Sequence, residues 1–398
     1  MTETDQQNWF MQVYGMLGSL LPMDDQVEGC RRFFADKTFA RPMDGMAIIG
    51  PRRDVMAMGS KDNPFSVQGA VDYGQERPMI PLGIDPPEHA AYRRLLDHLF
   101  APKRLDILQD EIVQRADNLI DQFIDEGRTD YTETFAVPFP SSVFLDLMGL
   151  PQDDVPLLVR LKDDCFHPGG GTVSDPAEIA RIQRQGARDF YDYFAEAITD
   201  RRRAPKENDL ISGLLEVEID GRPLSEEEML DICYTLALGG LDTVTATLTM
   251  MMAYLAEHDD QRTRILDDPS VIPGAVEELL RWTTPAPYLF RVASGETDLG
   301  GCPINRGDMV FGSMAGANLD ADEFPNPYTV DFDRSPNRHV TFGPGYHRCL
   351  GSHLARRELQ IALRQWHARI PRYAVTPETD LTIPMGPLRM VKHLHLTW

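Results

Sequence analysis

One cysteine stands in a setting that suits metal chemistry better than packing. Residues 342–351 read FGPGYHRCLG, so glycines flank Cys349 on both sides. Glycine takes backbone conformations that other residues avoid and lets a flat group approach closely. Apolar residues at helical spacing follow from Leu354 to Trp366, which places Cys349 just before a helix whose amide end stabilises a thiolate. A single ionised sulfur presented in this way suggests an axial ligand to haem iron.

The same segment resembles the cysteine loop of the cytochrome P450 family, which reads Phe-x-x-Gly-x-x-x-Cys-x-Gly. Phe342, Gly345, Cys349 and Gly351 match every fixed position of that loop. The resemblance implies a bound haem b, with Cys349 as the metal ligand and Phe342 shielding the cofactor. The alternative explanation is a buried free cysteine, which is the commoner state of an intracellular thiol.

A long, mostly apolar helix is predicted from a capping-box pattern at Ser225 to about Leu255. It contains two adjacent glycines, the first of which is Gly239, followed closely by Asp242 and Thr243. Helix packing is one explanation for the glycines, and a need for space is the other. In the family the matching helix passes over the haem, widens at the glycine to admit dioxygen, and delivers protons through the acid–alcohol pair. The resemblance therefore implies that Gly239 borders the cofactor and that Asp242 and Thr243 are catalytic.

Four further residues match family positions that bind the haem propionates. Such groups require cationic or hydrogen-bonding side chains at the edge of an apolar slot. His89 and Arg93 are one helical turn apart and match the family's His-x-x-x-Arg, while Arg291 and His347 match the remaining positions. Any one of these residues alone is typical of solvated surface, so the prediction depends on all four together.

A second family motif is structural. Glu278 and Arg281 are three residues apart on a predicted helix that opens at Pro273. Such a pair by itself is most often a surface ion pair. In the family this Glu-x-x-Arg lies in the core and is joined by a later arginine, for which Arg334 is the candidate.

The predicted fold is mainly helical with a smaller β-rich part, organised as a single domain over residues 1–398. Helical spacing is also evident from Leu105 to Phe123, ending at Gly127, and across residues 177–203. Frequent proline, glycine and β-branched residues predict short strands in residues 283–310 and 381–398, with a hairpin turn at 385–387. The resemblance implies the cytochrome P450 fold, with haem between the long central helix and the helix that follows the cysteine loop.

Composition excludes several classes of function. The formal net charge of −23 argues against nucleic acid as a partner. The apolar patch at residues 16–23 is too short to span a bilayer, so we expect a cytoplasmic monomer without a membrane segment. Five cysteines without paired spacing predict neither a disulfide framework nor a zinc site.

A local cluster of cations stands out against this acidic background. Arg348, Arg356 and Arg357 surround the cysteine loop, and Lys103 and Arg104 follow another haem-related segment. Solvated helix charges are the simpler explanation, and a docking patch for an acidic electron-transfer protein is the other. The resemblance implies a ferredoxin or flavodoxin with its reductase as partner, supplying electrons from NAD(P)H.

These observations predict a haem-thiolate monooxygenase that uses dioxygen to oxidise a hydrophobic small molecule. A peroxygenase is the enzymatic alternative, and a haem gas sensor without turnover is the alternative from another class. By family analogy the substrate pocket is formed by residues 62–81, 166–173, 238–239, 287–290 and 385–388. The three glycines at 169–171 suggest a mobile lid.

Overall fold

The computed structural model describes residues 38–171, 173–383 and 388–398, which divide into two compact units. Of these residues, the first unit contains 67–112 and 137–242, and the second contains 38–66, 113–136 and those from 243 onward. The prediction of a single domain stays a prediction. The turn predicted at residues 385–387 lies outside the described residues.

Helices make up most of the first unit and more of the second unit than its strands do, which confirms the predicted helix-rich body. In chain order they are α1 (Arg52–Met58), α2 (Glu88–Leu99), α3 (Pro102–Leu105), α4 (Gln109–Asp121), α5 (Pro138–Met148), α6 (Val155–Phe166), α7 (Pro176–Arg203), α8 (Leu210–Glu216), α9 (Glu226–Leu241), α10 (Thr243–Glu257), α11 (Asp259–Asp267), α12 (Ile272–Thr283), α13 (Met314–Asn318) and α14 (Ser352–Arg369). Helices α7 and α12 agree with the predicted spans.

Short strands form the predicted β-rich part. In chain order they are β1 (Phe39–Ala40), β2 (Met46–Ile49), β3 (Phe65–Ser66), β4 (Arg128–Asp130), β5 (Glu218–Ile219), β6 (Arg222–Pro223), β7 (Tyr288–Ala293), β8 (Thr297–Leu299), β9 (Cys302–Ile304), β10 (Met309–Ser313), β11 (Ala374–Val375) and β12 (His395–Thr397). The second unit holds a five-stranded sheet of order β1-β2-β10-β7-β3. Its strand β10 runs parallel to β2 and antiparallel to β7.

Two groups of buried side chains contribute to the core of the second unit. Val55 and Met58 of α1 pack with the buried residues of the five-stranded sheet, including Ile49 and Val310. The fully buried Trp366 of α14 is surrounded by aromatic rings, with Tyr131 edge-on at 4.9 Å and Tyr373 at 5.9 Å. Aromatic burial of this kind contributes strongly to stability. It holds α14, which is the helix that follows Cys349, against the rest of its unit.

The helix predicted to end at Gly127 ends earlier, at Asp121. Phe123 leaves the helical conformation and packs against Trp366, with ring centroids 6.0 Å apart. A short 3₁₀ turn follows at Ile124–Glu126, and Gly127, with φ at +66°, terminates that turn instead. Burial of an aromatic ring therefore overrides the helical spacing at this end.

The long apolar helix is present, but it is interrupted once. Ser225 caps α9, because its hydroxyl accepts the Glu228 N–H at 3.1 Å while the Glu228 carboxylate accepts the Ser225 N–H at 2.6 Å. The helical conformation lapses at Asp242 and resumes as α10. By length and composition residues 226–257 would suit a membrane, and 78% of the apolar window is buried inside the protein. The single predicted helix is therefore corrected to two, divided at Asp242.

The predicted Glu-x-x-Arg pair lies at the centre of a buried charge cluster. Glu278 and Arg281 are both fully buried, and Arg281 donates two hydrogen bonds to the carboxylate at 2.9 and 2.7 Å. Arg334 donates to the same carboxylate at 3.0 Å, as predicted for the third partner, and Asn337 donates at 3.0 Å. The amide N–H of Asp331 completes the set at 2.9 Å. This cluster joins α12 to the chain just before the cysteine loop.

Replacing Glu278 with glutamine should destabilise the protein severely. The substitution keeps the shape of the side chain but leaves two buried guanidinium groups without their counter-ion, which costs about 3–5 kcal/mol. Urea unfolding followed by circular dichroism measures this loss. The matched control is Glu296→Gln at an exposed site of the same unit, expected to change stability by less than about 0.5 kcal/mol. Equal stability of the two variants would contradict the assignment.

Candidate functional site

The cysteine loop is closed by a backbone hydrogen bond. The N–H of Cys349 donates to the carbonyl of Phe342 at 2.7 Å, so the two residues stand at the base of one turn. Gly343 and Gly345 have φ of +75° and +72°, which side chains disfavour. Among the cysteines of the described ranges, Cys165, Cys233 and Cys302 are buried and Cys349 is exposed. The loop therefore presents one accessible thiol at a defined position.

A close backbone approach holds this loop from one side. A Cβ atom added at Gly345 would overlap the carbonyl oxygen of Gly59, and one added at Gly59 would lie 2.8 Å from the carbonyl oxygen of Pro344. Both glycines are therefore required by packing between the end of α1 and the loop. Gly59 is a supporting residue that the sequence alone did not single out, since it stands far from the loop in the chain.

The Phe342 ring contacts a second charge cluster. The guanidinium of Arg356 lies 4.4 Å from the ring centroid, within cation–π range. Glu277 accepts hydrogen bonds from Arg356 at 2.6 and 2.9 Å and lies 3.0 Å from the His339 ring nitrogen. Burial raises the pKa of Glu277, but His339 and Arg356 outweigh it and lower the pKa to about 2. Glu277 is thus an ionised partner that holds Arg356 against Phe342.

This arrangement changes the interpretation of the predicted basic patch. Arg356 is engaged with Glu277 and the Phe342 ring, and only 22% of its side chain is exposed. It supports the loop and is not a free surface cation. Arg348 is exposed and Arg357 is half-buried, so these two residues retain the surface position that the sequence analysis gave them.

The residues predicted to bind propionates lie in separate elements. His89 and Arg93 share α2, and Arg93 pairs with Asp97 at 2.9 Å. Arg291 is on β7, and His347 ends the 3₁₀ turn Gly345–His347 of the cysteine loop. His89 is 2% exposed and Arg291 is 3% exposed, which is unusual for polar side chains of this kind. His89 in the first unit and Arg291 in the second are each a buried donor of the kind that binds an anionic group.

The two helix glycines have different explanations. A Cβ at Gly240 would lie 3.1 Å from Cδ2 of Phe144, so this glycine serves helix packing against α5. A Cβ at Gly239 would meet no atom within 4 Å, and Gly239 is exposed although its neighbours in α9 are mostly buried. Open space beside Gly239 agrees with a helix face that borders a cofactor or substrate. Thr243, predicted to act with Asp242, is half-buried and opens α10.

Asp242 is held by two side chains that the sequence motifs did not reveal, Lys162 and His167. Its carboxylate is fully buried, 3.0 Å from Nζ of Lys162 and 3.3 Å from Nε2 of His167. Burial raises the pKa of Asp242, but the His167 hydrogen bond and the Lys162 charge outweigh it, and the pKa is lowered overall. Burial lowers the pKa of Lys162, but Asp242 and Asp163 raise it overall. Asp242 is thus an ionised carboxylate within a polar network.

A sequence signal for this network existed. Lys162 lies among the apolar residues of α6 that face inward, with Leu158, Leu161 and Cys165 buried around it. A charged residue on the buried face of an amphipathic helix requires a partner. His167 follows the same helix, and 42% of its side chain is exposed. It therefore reaches from solvent to a buried carboxylate.

The glycine segment predicted as a lid begins immediately after His167. Pro168–Gly171 forms a 3₁₀ turn in which Gly169 and Gly170 have positive φ. A Cβ at Gly169 would overlap the Val173 side chain, so this glycine is required by the turn itself. The lid role stays a prediction.

Substitution of the two helix glycines should have different effects on stability. Gly239→Ala is expected to be neutral or to stabilise by about 0.5–1 kcal/mol, because alanine favours the helix and meets no neighbour. Gly240→Ala should be less stable than Gly239→Ala, since the added methyl group presses on Phe144. Thermal unfolding of the two variants compares them directly. A lower stability for Gly239→Ala than for Gly240→Ala would show that the space beside Gly239 is not open.

The Asp242 network predicts a charge-dependent penalty. Lys162→Met should cost about 3–5 kcal/mol at neutral pH, because a buried carboxylate loses its main counter-charge. The double variant Lys162→Met with Asp242→Asn should recover most of that loss, since no unpaired charge is left. Urea unfolding of the four proteins of the cycle measures both effects. The penalty should shrink as pH falls and Asp242 protonates. Additive effects at all pH values would contradict the network.

Comparisons with known proteins agree on one family. A family model described as Cytochrome P450 matches residues 174–369. Probable cytochrome P450 127A1 of Sinorhizobium fredii is 36% identical over 89% of this chain and 84% of its own length. Mycinamicin IV hydroxylase/epoxidase of Micromonospora griseorubida is 35% identical over 87% of this chain and 85% of its own. The similarity thus extends well beyond the cysteine loop.

A solved structure agrees with these sequence relatives. The cytochrome P450 PksS of the Bacillus subtilis bacillaene polyketide synthase aligns with a TM-score of 0.84 at 31% identity. The alignment covers 94% of this chain and 97% of that chain. The fold is therefore shared with a solved member of the same family.

Proposed function

Because the chain belongs to the cytochrome P450 family and is a P450 monooxygenase, we propose that Cys349 is the thiolate ligand of its haem iron. The observation that supports this assignment most directly is the accessible Cys349 thiol in a loop closed by the Phe342 carbonyl. The loop immediately precedes α14, whose amide end favours an ionised sulfur. Phe342 stands at the base of the same turn and shields the ligand.

The remaining cofactor contacts follow from the buried donors. His89, Arg93, Arg291 and His347 would bind the two propionates by charge-assisted hydrogen bonds. Gly239 would leave room beside α9 for the cofactor and for dioxygen. When bound, the haem supplies the redox chemistry that activates dioxygen, with the thiolate favouring cleavage of the O–O bond.

The chain's own contribution is proton delivery to the site of oxidation. Lys162 and His167 hold Asp242 as a carboxylate. Asp242 would accept a proton on the side of His167 and pass it on toward Thr243. The half-exposed His167 ring connects this carboxylate to solvent, while the carboxylate itself is fully buried. Thr243, the next residue, would hold an oxygen or water by hydrogen bond. Full burial of Asp242 limits the access of bulk water to this part of the site.

The substrate is proposed to be a hydrophobic organic molecule. Within the predicted pocket segments Met79, Ile80 and Leu289 are apolar and buried. Terpenoid, steroid, fatty acyl and polyketide-like compounds fit such a surface. Two relatives agree with this range, one named for mycinamicin IV and one for a polyketide synthase.

The redox partner is proposed to be a ferredoxin or flavodoxin with its reductase, drawing electrons from NAD(P)H. With a net charge of −23, the chain attracts an acidic partner only where cations are concentrated. Arg348 and Arg357 beside the cysteine loop would supply that attraction, whereas Arg356 forms an ion pair with Glu277. We propose a cytoplasmic monomer that meets this partner transiently.

The ligand assignment is tested by the carbon monoxide complex of the reduced protein. A thiolate-bound haem gives a strongly red-shifted Soret band, and Cys349→Ser should abolish it while retaining some haem. Cys302→Ser, at a buried thiol elsewhere in the same unit, is the control and should keep the band. An unchanged spectrum in Cys349→Ser would refute the assignment.

Turnover separates the proposed monooxygenase from the alternatives. A compound that shifts the haem spin state should also be oxidised when surrogate ferredoxin, reductase and NAD(P)H are supplied. Product formed with hydrogen peroxide alone would favour a peroxygenase. Binding of gases without product under any condition would favour a sensor.

A further inference from the structure

Asn318 is a fully buried amide that makes three side-chain hydrogen bonds at one junction. It ends α13, and its Nδ2 donates to Oγ1 of Thr284 at 2.9 Å and to Oγ1 of Thr341 at 2.9 Å. Its Oδ1 accepts the Val340 N–H at 2.7 Å. No family motif used above includes Asn318, so the sequence analysis did not identify it.

The neighbouring hydroxyls determine the direction of these bonds. Oγ1 of Thr284 donates its only proton to the Arg281 carbonyl at 2.9 Å. Oγ1 of Thr341 donates its only proton to the Leu280 carbonyl at 2.8 Å. Each hydroxyl oxygen can therefore only accept from Asn318. The site requires two donors and one acceptor on a short side chain, which asparagine provides and aspartate does not.

The junction joins the end of α12 to the first residues of the cysteine loop. Thr284 follows α12 and has φ at +39°, a conformation that a β-branched residue rarely adopts without support. Val340 and Thr341 lead directly into Phe342, whose carbonyl closes the loop on the Cys349 N–H. The Asn318 carbonyl also accepts from Arg281 at 2.9 Å, which connects the junction to the Glu278 cluster.

We propose that Asn318 is a positioning residue for the haem thiolate, because its amide fixes the backbone from which the Cys349 loop begins. This inference rests on the proposed function of Cys349. Asn318 does not contact the reacting atoms. It acts through Val340 and Thr341, and its loss should let the loop sample conformations in which the sulfur leaves its ligand position.

The decisive variant is Asn318→Asp, which keeps the volume and replaces two donors with acceptors. In the reduced carbon monoxide complex of Asn318→Asp, the red-shifted Soret band should convert to the band of a haem without a thiolate ligand. The rate of this conversion should be on the order of tenfold the wild-type rate or faster, because the hydroxyl oxygens of Thr284 and Thr341 lose the N–H donors of Asn318. Hydrogen exchange of the holoenzyme should show faster exchange in residues 340–349.

Control variants separate positioning from general loss of stability. Thr132 is buried in the same unit, and its hydroxyl donates to the Val391 carbonyl at 3.2 Å and accepts the Leu394 N–H at 3.2 Å. Thr132→Val should lower the melting temperature but leave the Soret band and exchange in residues 340–349 unchanged. Thr341→Ser, which keeps the hydroxyl, should preserve the band, while Thr341→Val should reproduce part of the Asn318→Asp effect.

The outcomes distinguish this inference from the proposed function. A wild-type protein without the red-shifted band would refute the role of Cys349, whereas a wild-type band retained in Asn318→Asp, with unchanged exchange in residues 340–349, would overturn the role of Asn318. If Asn318→Asp does not fold, Thr341→Val decides. A wild-type Soret band and wild-type exchange in Thr341→Val would overturn the proposal, and a labile band rescued in Thr341→Ser would support it.

Discussion

The buried carboxylate of Glu278 is the constraint on which the geometry around Cys349 depends. It accepts hydrogen bonds from Arg281, Arg334 and Asn337 in a fully buried site. A charge buried in this way is tolerated only while every partner is in place, so the chain near Arg334 cannot leave α12 without a large cost. The start of the cysteine loop follows a few residues later and is placed by the same cluster.

Helix α12 contacts the segment around the cysteine loop through several of its side chains and through its C-terminal end. Glu278 faces the buried arginines, and the adjacent Glu277 holds Arg356 against the Phe342 ring. The Leu280 carbonyl accepts from Thr341, while the residue that follows the helix, Thr284, binds Asn318. The thiol is therefore presented by a loop whose beginning is tied to one helix at several points. Rigid support of this kind is what a ligand position needs.

The two buried charge clusters differ in their access to water. The cluster at Glu278 joins fully buried or nearly buried side chains and serves structure. The cluster at Asp242 ends in His167, which is 42% exposed, and includes Lys162. A buried carboxylate with a route to solvent is suited to proton transfer, while one without such a route is suited to support. The same chemical group is thus suited to different roles in the two units because its surroundings differ.

Local sequence signals predicted much of the fold and part of the site. The glycines around Cys349, the capping box at Ser225 and the regular apolar spacing all act over a few residues, and a loop or a helix is present where each of them predicted one. Long-range competition produced the differences. Helix α4 ends early because Phe123 packs on Trp366, and the central helix is interrupted at Asp242, whose carboxylate pairs with Lys162 and His167.

The sequence by itself determined which residues are candidates for the chemistry, since a thiolate loop and an acid–alcohol pair are recognisable from residue type and spacing alone. Only the tertiary structure decided how those residues are held. Asn318, Gly59 and Glu277 act on positions distant in the chain, so neither their type nor their local spacing reveals a role. The spacing around Lys162 signals only that its charge needs a partner, and the tertiary structure identifies that partner as Asp242. The tertiary structure also decided that Arg356 supports the loop, because its guanidinium pairs with Glu277 and lies over the Phe342 ring instead of being fully solvated.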